Sequence, residues 1–179
     1  MTHEILTPPL TAISIEEARI YLRLGTDEDD GILMMFIKAA IEKVENKYHK
    51  ALARRTMRET FFSAEIQNAF NLSVKAGRGA FLRPHFTPIT NIVAVRIVDA
   101  NGVITTAPND LIKLEADKFL LKNWEHTIQI DYVAGFSASG EIPSEYKQII
   151  LEEIAAAIAK RDNEPLKNSV GEIDRGVQL

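Results

Sequence analysis

Apolar residues in the first third of the chain recur at three- and four-residue steps. Between residues 27 and 56 they are Ile32, Leu33, Phe36, Ile37, Ala40, Ile41, Val44, Tyr48 and Leu52, one stripe of a 3.6-residue repeat. The pattern predicts a single long amphipathic helix over 27–56. Asp27, Glu28, Asp29 and Asp30 open it and Arg54 and Arg55 close it, each sign at the end where the helix dipole favours it. At about 1.5 Å per residue it spans on the order of 40 Å, more than a small domain buries alone, so other helices or a neighbouring subunit must cover the stripe. Upstream, Ser14 and Glu17 form a capping box before Ile15, Ala18, Tyr21 and Leu22, and Gly25 is a natural left-handed stop, predicting a short helix over 14–24. Pro143 opens a third helix over 144–162, with Tyr146, Ile149, Ile150, Ile154, Ala157 and Ile158 on one stripe. Ala155, Ala156, Ala157 and Ala159 allow close approach to a neighbour, and packing against the 27–56 helix is expected.

Near residue 57 the period becomes extended. Residues 58–63 are rich in Thr and Phe, 69–74 are short and mixed, and Gly77 and Gly79 flank Arg78 in a turn. Pro84 and Pro88 bracket a stretch that cannot be a central strand. Ile92, Val93, Val95, Ile97 and Val98 predict a buried strand over 91–98, and Asn101-Gly102 a hairpin into 103–106. Residues 111–114 and 118–121 pair around Ala116-Asp117. Over 126–133, Ile128, Ile130 and Tyr132 share one face and Gln129 and Asp131 the other. The expected class is α+β: one domain of 179 residues, a helical body with an inserted small, mainly antiparallel β lobe over about 57–135. A tail over 163–179 carries Pro165, Gly171 and Gly176 without sustained period.

With 46% hydrophobic and 26% charged residues, the composition is that of a soluble globular protein. Its apolar runs are too short to cross a bilayer, and residues 1–9 lack the basic-then-apolar order of a secretory signal, so no membrane association is expected. The absence of cysteine removes disulfides, thiolate zinc sites and thiol catalysis. A net charge of -4 argues against a chain whose main work is gripping phosphates, though DNA can still pass along its surface.

Chemistry is sparse. His3, His49, His85 and His126 have no helix-spaced partner, so neither a metal nor a cofactor is expected. Asp27, Asp29 and Asp30 fail as a calcium loop because Gly31 comes one position early and Lys38 replaces the bidentate glutamate. Gly135-Phe136-Ser137-Ala138-Ser139 misses the nucleophile elbow, since Ser139 stands where glycine is needed. No catalytic residue is assigned and the chain is not expected to be an enzyme. Arg54, Arg55 and Arg58, with Lys75, Arg78 and Arg83, form a candidate surface for DNA or an acidic partner; the plainer reading is a helix end and solvated loops. Phe36, Ala40, Val44, Ile154, Ala157 and Ile158 are the candidate helix-packing or subunit interface.

Three stretches together resemble the head-tail connector (adaptor) proteins of long-tailed phages, a family also described as phage DNA-packaging proteins and found in prophages and gene transfer agents. The first is Ile15-Glu16-Glu17-Ala18-Arg19-Ile20-Tyr21-Leu22-Arg23 with Asp29-Asp30, Ile37, Ala39-Ala40 and Val44-Glu45. The second is Phe81-Leu82-Arg83-Pro84, Pro88-Ile89, residues 92–99 and Gly102. The third runs from Ile130-Asp131-Tyr132-Val133-Ala134-Gly135-Phe136 through Ile142-Pro143 to a last helix ending in Arg161. Residues 84–88 are looser than the family's tight proline-rich turn. The resemblance implies a virion structural protein made in the host cytoplasm and carried in the virion neck. About a dozen copies would form a ring below the portal, extend the DNA channel and meet a downstream neck or tail-completion protein. It also implies a C-terminal extension that contacts the portal protein, here Pro165, Leu166, Val170, Ile173, Val177 and Leu179. The alternative is a DNA-binding packaging accessory protein.

Overall fold

The computed structural model describes residues 1–7, 11–24, 30–73, 80–108, 110–121 and 126–163. Among them are strand β1 (Thr2–Ile5), helices α1 (Ile15–Leu22) and α2 (Asp30–Tyr48), strand β2 (Arg55–Phe61) and helix α3 (Ser63–Ser73). Strands β3 (Ala80–Leu82), β4 (Ile89–Val98), β5 (Ile104–Thr106), β6 (Ile112–Glu115), β7 (Lys118–Leu121) and β8 (Thr127–Ala134) follow. A 3-10 turn (Ser139–Glu141) leads into helix α4 (Ser144–Asn163). The class is α+β, with two antiparallel sheets ordered β1-β2-β8-β4-β5 and β3-β7-β6.

The helices pack on one another. Leu33, Ile37, Ala40 and Val44 of α2 share a core with Ala18 of α1, Ile150 and Ile154 of α4, and Leu52. Lys43 of α2 and Glu153 of α4 pair at 2.5 Å beside it. The centre of the α2 stripe is therefore covered within the chain, by α4 as expected and by α1, while Ile32 and Tyr48 at its ends stay exposed. The sheets enclose a second core, in which Met57, Phe61, Ile128, Ile130 and Tyr132 meet Leu82, Phe119 and Leu121 of the smaller sheet and Ile66 of α3.

Helix α2 is shorter than the pattern over 27–56 predicts. Its 19 residues span about 28 Å, and His49, at φ 51°, turns the chain out of it. Residues 50–54 then run extended, bridging Lys50 to Thr87 and Ala53 to Phe136 in parallel, and Arg55 begins β2. The apolar count persists past the helix because the connector is itself buried, with Ala51 and Leu52 at 0% and Ala53 at 4% exposure. Arg54 and Arg55 thus close no helix. In α1 the Ser14–Glu17 capping box forms, but the left-handed residue is Arg23 at φ 55°; Gly25 and Asp27–Asp29 lie outside the described residues.

Two further elements depart from expectation. Residues 63–73 are helical, although only a few apolar positions, Ile66, Ala69 and Phe70 among them, mark the buried side. Its start is held by Glu65, whose carboxylate accepts the Phe62 N–H at 2.9 Å, half of a capping box. Strand β1, absent from the reading of residues 1–9, pairs antiparallel with β2; with all four residues exposed it carries no alternation. The sheet therefore draws on both sides of the helical pair and is not solely an insertion over 57–135. Both predicted hairpins form: Gly102 sits at φ 81° in the β4–β5 turn, and Ala116 and Asp117 at φ 46° and 60° between β6 and β7.

The helical and sheet layers meet at Gly135. It has φ 98°, and a Cβ there would lie 2.4 Å from the Ala53 carbonyl oxygen, while its N–H donates to Pro88 at 2.9 Å. Gly135→Ala is expected to destabilise the fold by on the order of 3 kcal/mol, combining positive-φ strain with a backbone clash. A lower urea midpoint at unchanged slope checks this, and an unshifted midpoint contradicts it.

Candidate functional site

The six basic residues proposed as one surface do not behave alike. Arg54 is exposed on the connector and Arg83 is exposed after β3. Arg55 is buried at 4%: it lies 2.6 Å from the Glu45 carboxylate and its guanidinium stacks over Phe86, 5.1 Å from the ring centre. It starts an inward-facing strand position rather than ending a helix, so it offers no surface charge. Lys75 and Arg78 lie outside the described residues.

Arg58 belongs to a cross-strand ionic cluster on the outer face of the large sheet. It donates to both Asp131 oxygens at 2.8 and 3.1 Å, and Arg96 of β4 adds a third bond at 2.7 Å. Burial alone would raise the Asp131 carboxyl, but hydrogen bonds from Arg58 and then Arg96 outweigh it and hold the group below the ordinary carboxylate range. Asp131 thereby neutralises much of the positive charge Arg58 could present to a phosphate.

The proposed packing residues face the helical core. Ala40, Val44 and Ile154 are buried there, Phe36 and Ile158 pack against it, and Ala157 is half-buried. The six residues assigned to the tail, Pro165 to Leu179, lie outside the described residues. Around Ser137 the geometry is that of a turn: its N–H donates to Glu141 at 2.9 Å, and Ser139 Oγ donates to the Ala12 carbonyl at 3.1 Å.

What sequence spacing did not reveal is a polar cluster at the β1 edge of the sheet layer. His3 of β1 and His85, in the segment between β3 and β4, stack at 4.3 Å with an 11° interplanar angle, and His49 meets His85 edge-on at 5.1 Å. Beneath them Glu59 of β2 is fully buried. It accepts the His85 backbone N–H at 2.7 Å through Oε1, while Oε2 has no well-aligned hydrogen bond among the described residues and lies near the Tyr132 hydroxyl. Burial outweighs that bond and pushes the Glu59 carboxyl up to about 7. The signal was present in the 57–61 alternation, which puts Glu59 in phase with Met57 and Phe61; His3 could not be placed without β1. Alongside, a cleft of about 620 Å³ opens between β1 and α2, lined by His3, Ile5, Met34, Ile41 and Phe86. Among the described residues no group of three His, Asp or Glu side chains is arranged to hold a metal ion.

The architecture, with a three-helix layer joined to a five-stranded antiparallel sheet, has solved counterparts. The fold is shared with chains of gene transfer agent particles. A chain in the neck of an empty gene transfer agent (GTA) particle, computed with C6 symmetry, superposes with a TM-score of 0.72 at 24% identity, over 92% of this chain and 88% of that one. A chain in the virion of the native particle gives 0.70 at 24% identity, over 92% and 88%. One in the native neck computed with C12 symmetry gives 0.70 at 22% identity, over 92% and 87%. No protein-family model and no curated protein matches the sequence.

Glu59 makes a testable electrostatic statement. Its folded pKa is raised from 4.5 to about 7, so the stability associated with its neutral form is fully present below pH 4.5 and is lost as pH rises through 7. Glu59→Gln keeps an acceptor for His85 and removes the buried charge. It is expected to stabilise the protein at pH 8 by on the order of 3 kcal/mol and to have little effect at pH 4.5. Denaturant titrations at the two pH values check this, and an equal effect at both contradicts it.

Proposed function

We propose that this chain is a structural subunit of a virion neck, acting as a head-tail connector (adaptor). The observation that carries the reading is the fold agreement over 92% of the chain with chains of GTA neck structures, where the C6 and C12 symmetries describe rings. On this reading copies of this chain assemble into a ring of about a dozen, which the C12 symmetry of that neck supports, and the ring sits below the portal protein. The ring extends the DNA channel and receives a downstream neck or tail-completion protein. Such a subunit is made in the host cytoplasm, ends in the neck and catalyses nothing.

The surface suits assembly. Ile20 and Met35 on the helical layer are 79% and 67% exposed, and Val93, Val103 and Ile104 on the sheet layer are each 55% exposed, apolar side chains available to neighbours. The DNA-binding packaging alternative keeps Arg54 and Arg83 among the described residues, while Arg55 and Arg58 are engaged by Glu45 and Asp131. Its requirement of steeply salt-dependent DNA affinity is therefore less well supported.

The purified protein, alone and with portal, is expected to form closed rings in light scattering and negative-stain microscopy; a strictly monomeric species at high concentration with portal present overturns the reading. The tail assignment has its own test. Truncation after Asn163, the end of α4, is expected to spare the fold and weaken portal docking at least tenfold, about 1.4 kcal/mol, and undiminished docking removes the tail's role.

A further inference from the structure

Strand β1 is fastened to the fold lightly. Its four residues are all exposed, it stands at the edge of the large sheet, and its strand pairing is to β2. Beyond the ladder, the chain after it is held where the Leu6 N–H donates to the Thr56 carbonyl and the Thr56 N–H donates to Thr7 Oγ1, both at 2.8 Å. The N-terminal amine pairs with Glu65 of α3. On the inner side the anchor is aromatic: His3 stacks flat on His85 and lies edge-on to Phe86 at 5.8 Å. His49, from the end of α2, closes the group against His85.

We propose that His3, His49 and His85 form a proton-sensitive latch that holds β1 on the sheet while His85 is neutral and releases it when a proton on His85 brings positive charge into the group. Parallel imidazole rings 4.3 Å apart attract as neutral aromatics and repel as a pair of cations, and a third cation on His49 would add to the repulsion. From α2, Lys38 and Glu42 line the cleft beside His3, one charge of each sign. From β2, Arg55 lies over Phe86 and its partner Glu45 of α2 is committed to it. Lys50 of the connector reaches Thr87 at 2.8 Å and adds positive charge. Glu59 lies beneath, turned to the His85 backbone N–H, and Tyr132 of β8 is buried near it. Glu4 of β1 is paired in register with Arg58 on the opposite face of the sheet.

The direction of titration agrees with the geometry. Burial first, then the His3 and His49 charges, hold His85 below its ordinary value of 6.5. Its contribution to stability is thus present above pH 6.5 and lost as pH falls through the depressed value. Glu59 acts in the opposite sense, so the latch must be read at β1 itself and not from global stability.

Hydrogen exchange of the full chain, corrected for intrinsic rates, provides that reading. Between pH 7.5 and pH 5.5 the amides of residues 2–5 are expected to lose up to about tenfold of their protection, while those of β8 do not. In His85→Phe, which keeps an aromatic ring and cannot be charged, β1 is expected to stay protected at both pH values. Unchanged protection of β1 in the wild-type chain overturns the latch, as does a loss that persists undiminished in His85→Phe. Because no partner or ring is involved, failure here leaves the connector reading untouched.

Discussion

One carboxylate governs how the helical layer passes into the sheet layer. Glu45, near the end of α2, accepts the Leu52 N–H at 2.7 Å through Oε1 and holds the Arg55 guanidinium at 2.6 Å through Oε2. A single side chain thereby fixes the helix exit, the buried connector and the first residue of β2. Ion pairs this deeply buried gain little net stability once desolvation is counted, but removing one partner leaves an uncompensated charge. Here that constraint selects one geometry for residues 49–55. The close approach of Gly135 to Ala53 depends on it, because the connector backbone must lie flat against the end of β8.

The same junction brings remote polar groups together. Once β2 leaves the connector with Arg55 facing inward, its alternation places Met57, Glu59 and Phe61 on the inner face. Glu59 is then buried under His85, and β1, pairing on the other side of β2, delivers His3 to the same point. The outer face receives Arg58, which shares the Asp131 carboxylate with Arg96 across three strands. The basic surface imagined from residues 54–83 is divided by this alternation: one arginine goes into the core and another into a ladder of charges. Under the proposed connector role, such a division is compatible with DNA passing rather than being gripped.

Much of the fold was legible because local chemistry and tertiary outcome agree. Ser14 and Glu17 cap α1, Asn101-Gly102 and Ala116-Asp117 turn their hairpins, and the stripes of α2 and α4 meet as their apolar spacing implied. Where the reading failed, two causes operated. The apolar run through Ala51, Leu52 and Ala53 is buried without being helical, so periodicity overran the end of α2 by several residues. Strand β1 and helix α3 carry too few apolar positions to show a period; β1 exists because β2 offers it an edge, and α3 because β3 and β8 offer it a surface to pack on.

Sequence alone thus determined the α+β class, the three helices of the body, both tight hairpins and the lack of any recognisable catalytic pattern. These depend on interactions between residues within about four positions of one another, or on composition. Only the tertiary structure decided which charges face water, that three histidines from distant segments cluster, and that the centre of the α2 stripe is covered by α1 and α4 of the same chain. Those outcomes depend on strand register and on the path of one buried connector. A shift of one residue in either would send every side chain of β2 to the opposite face.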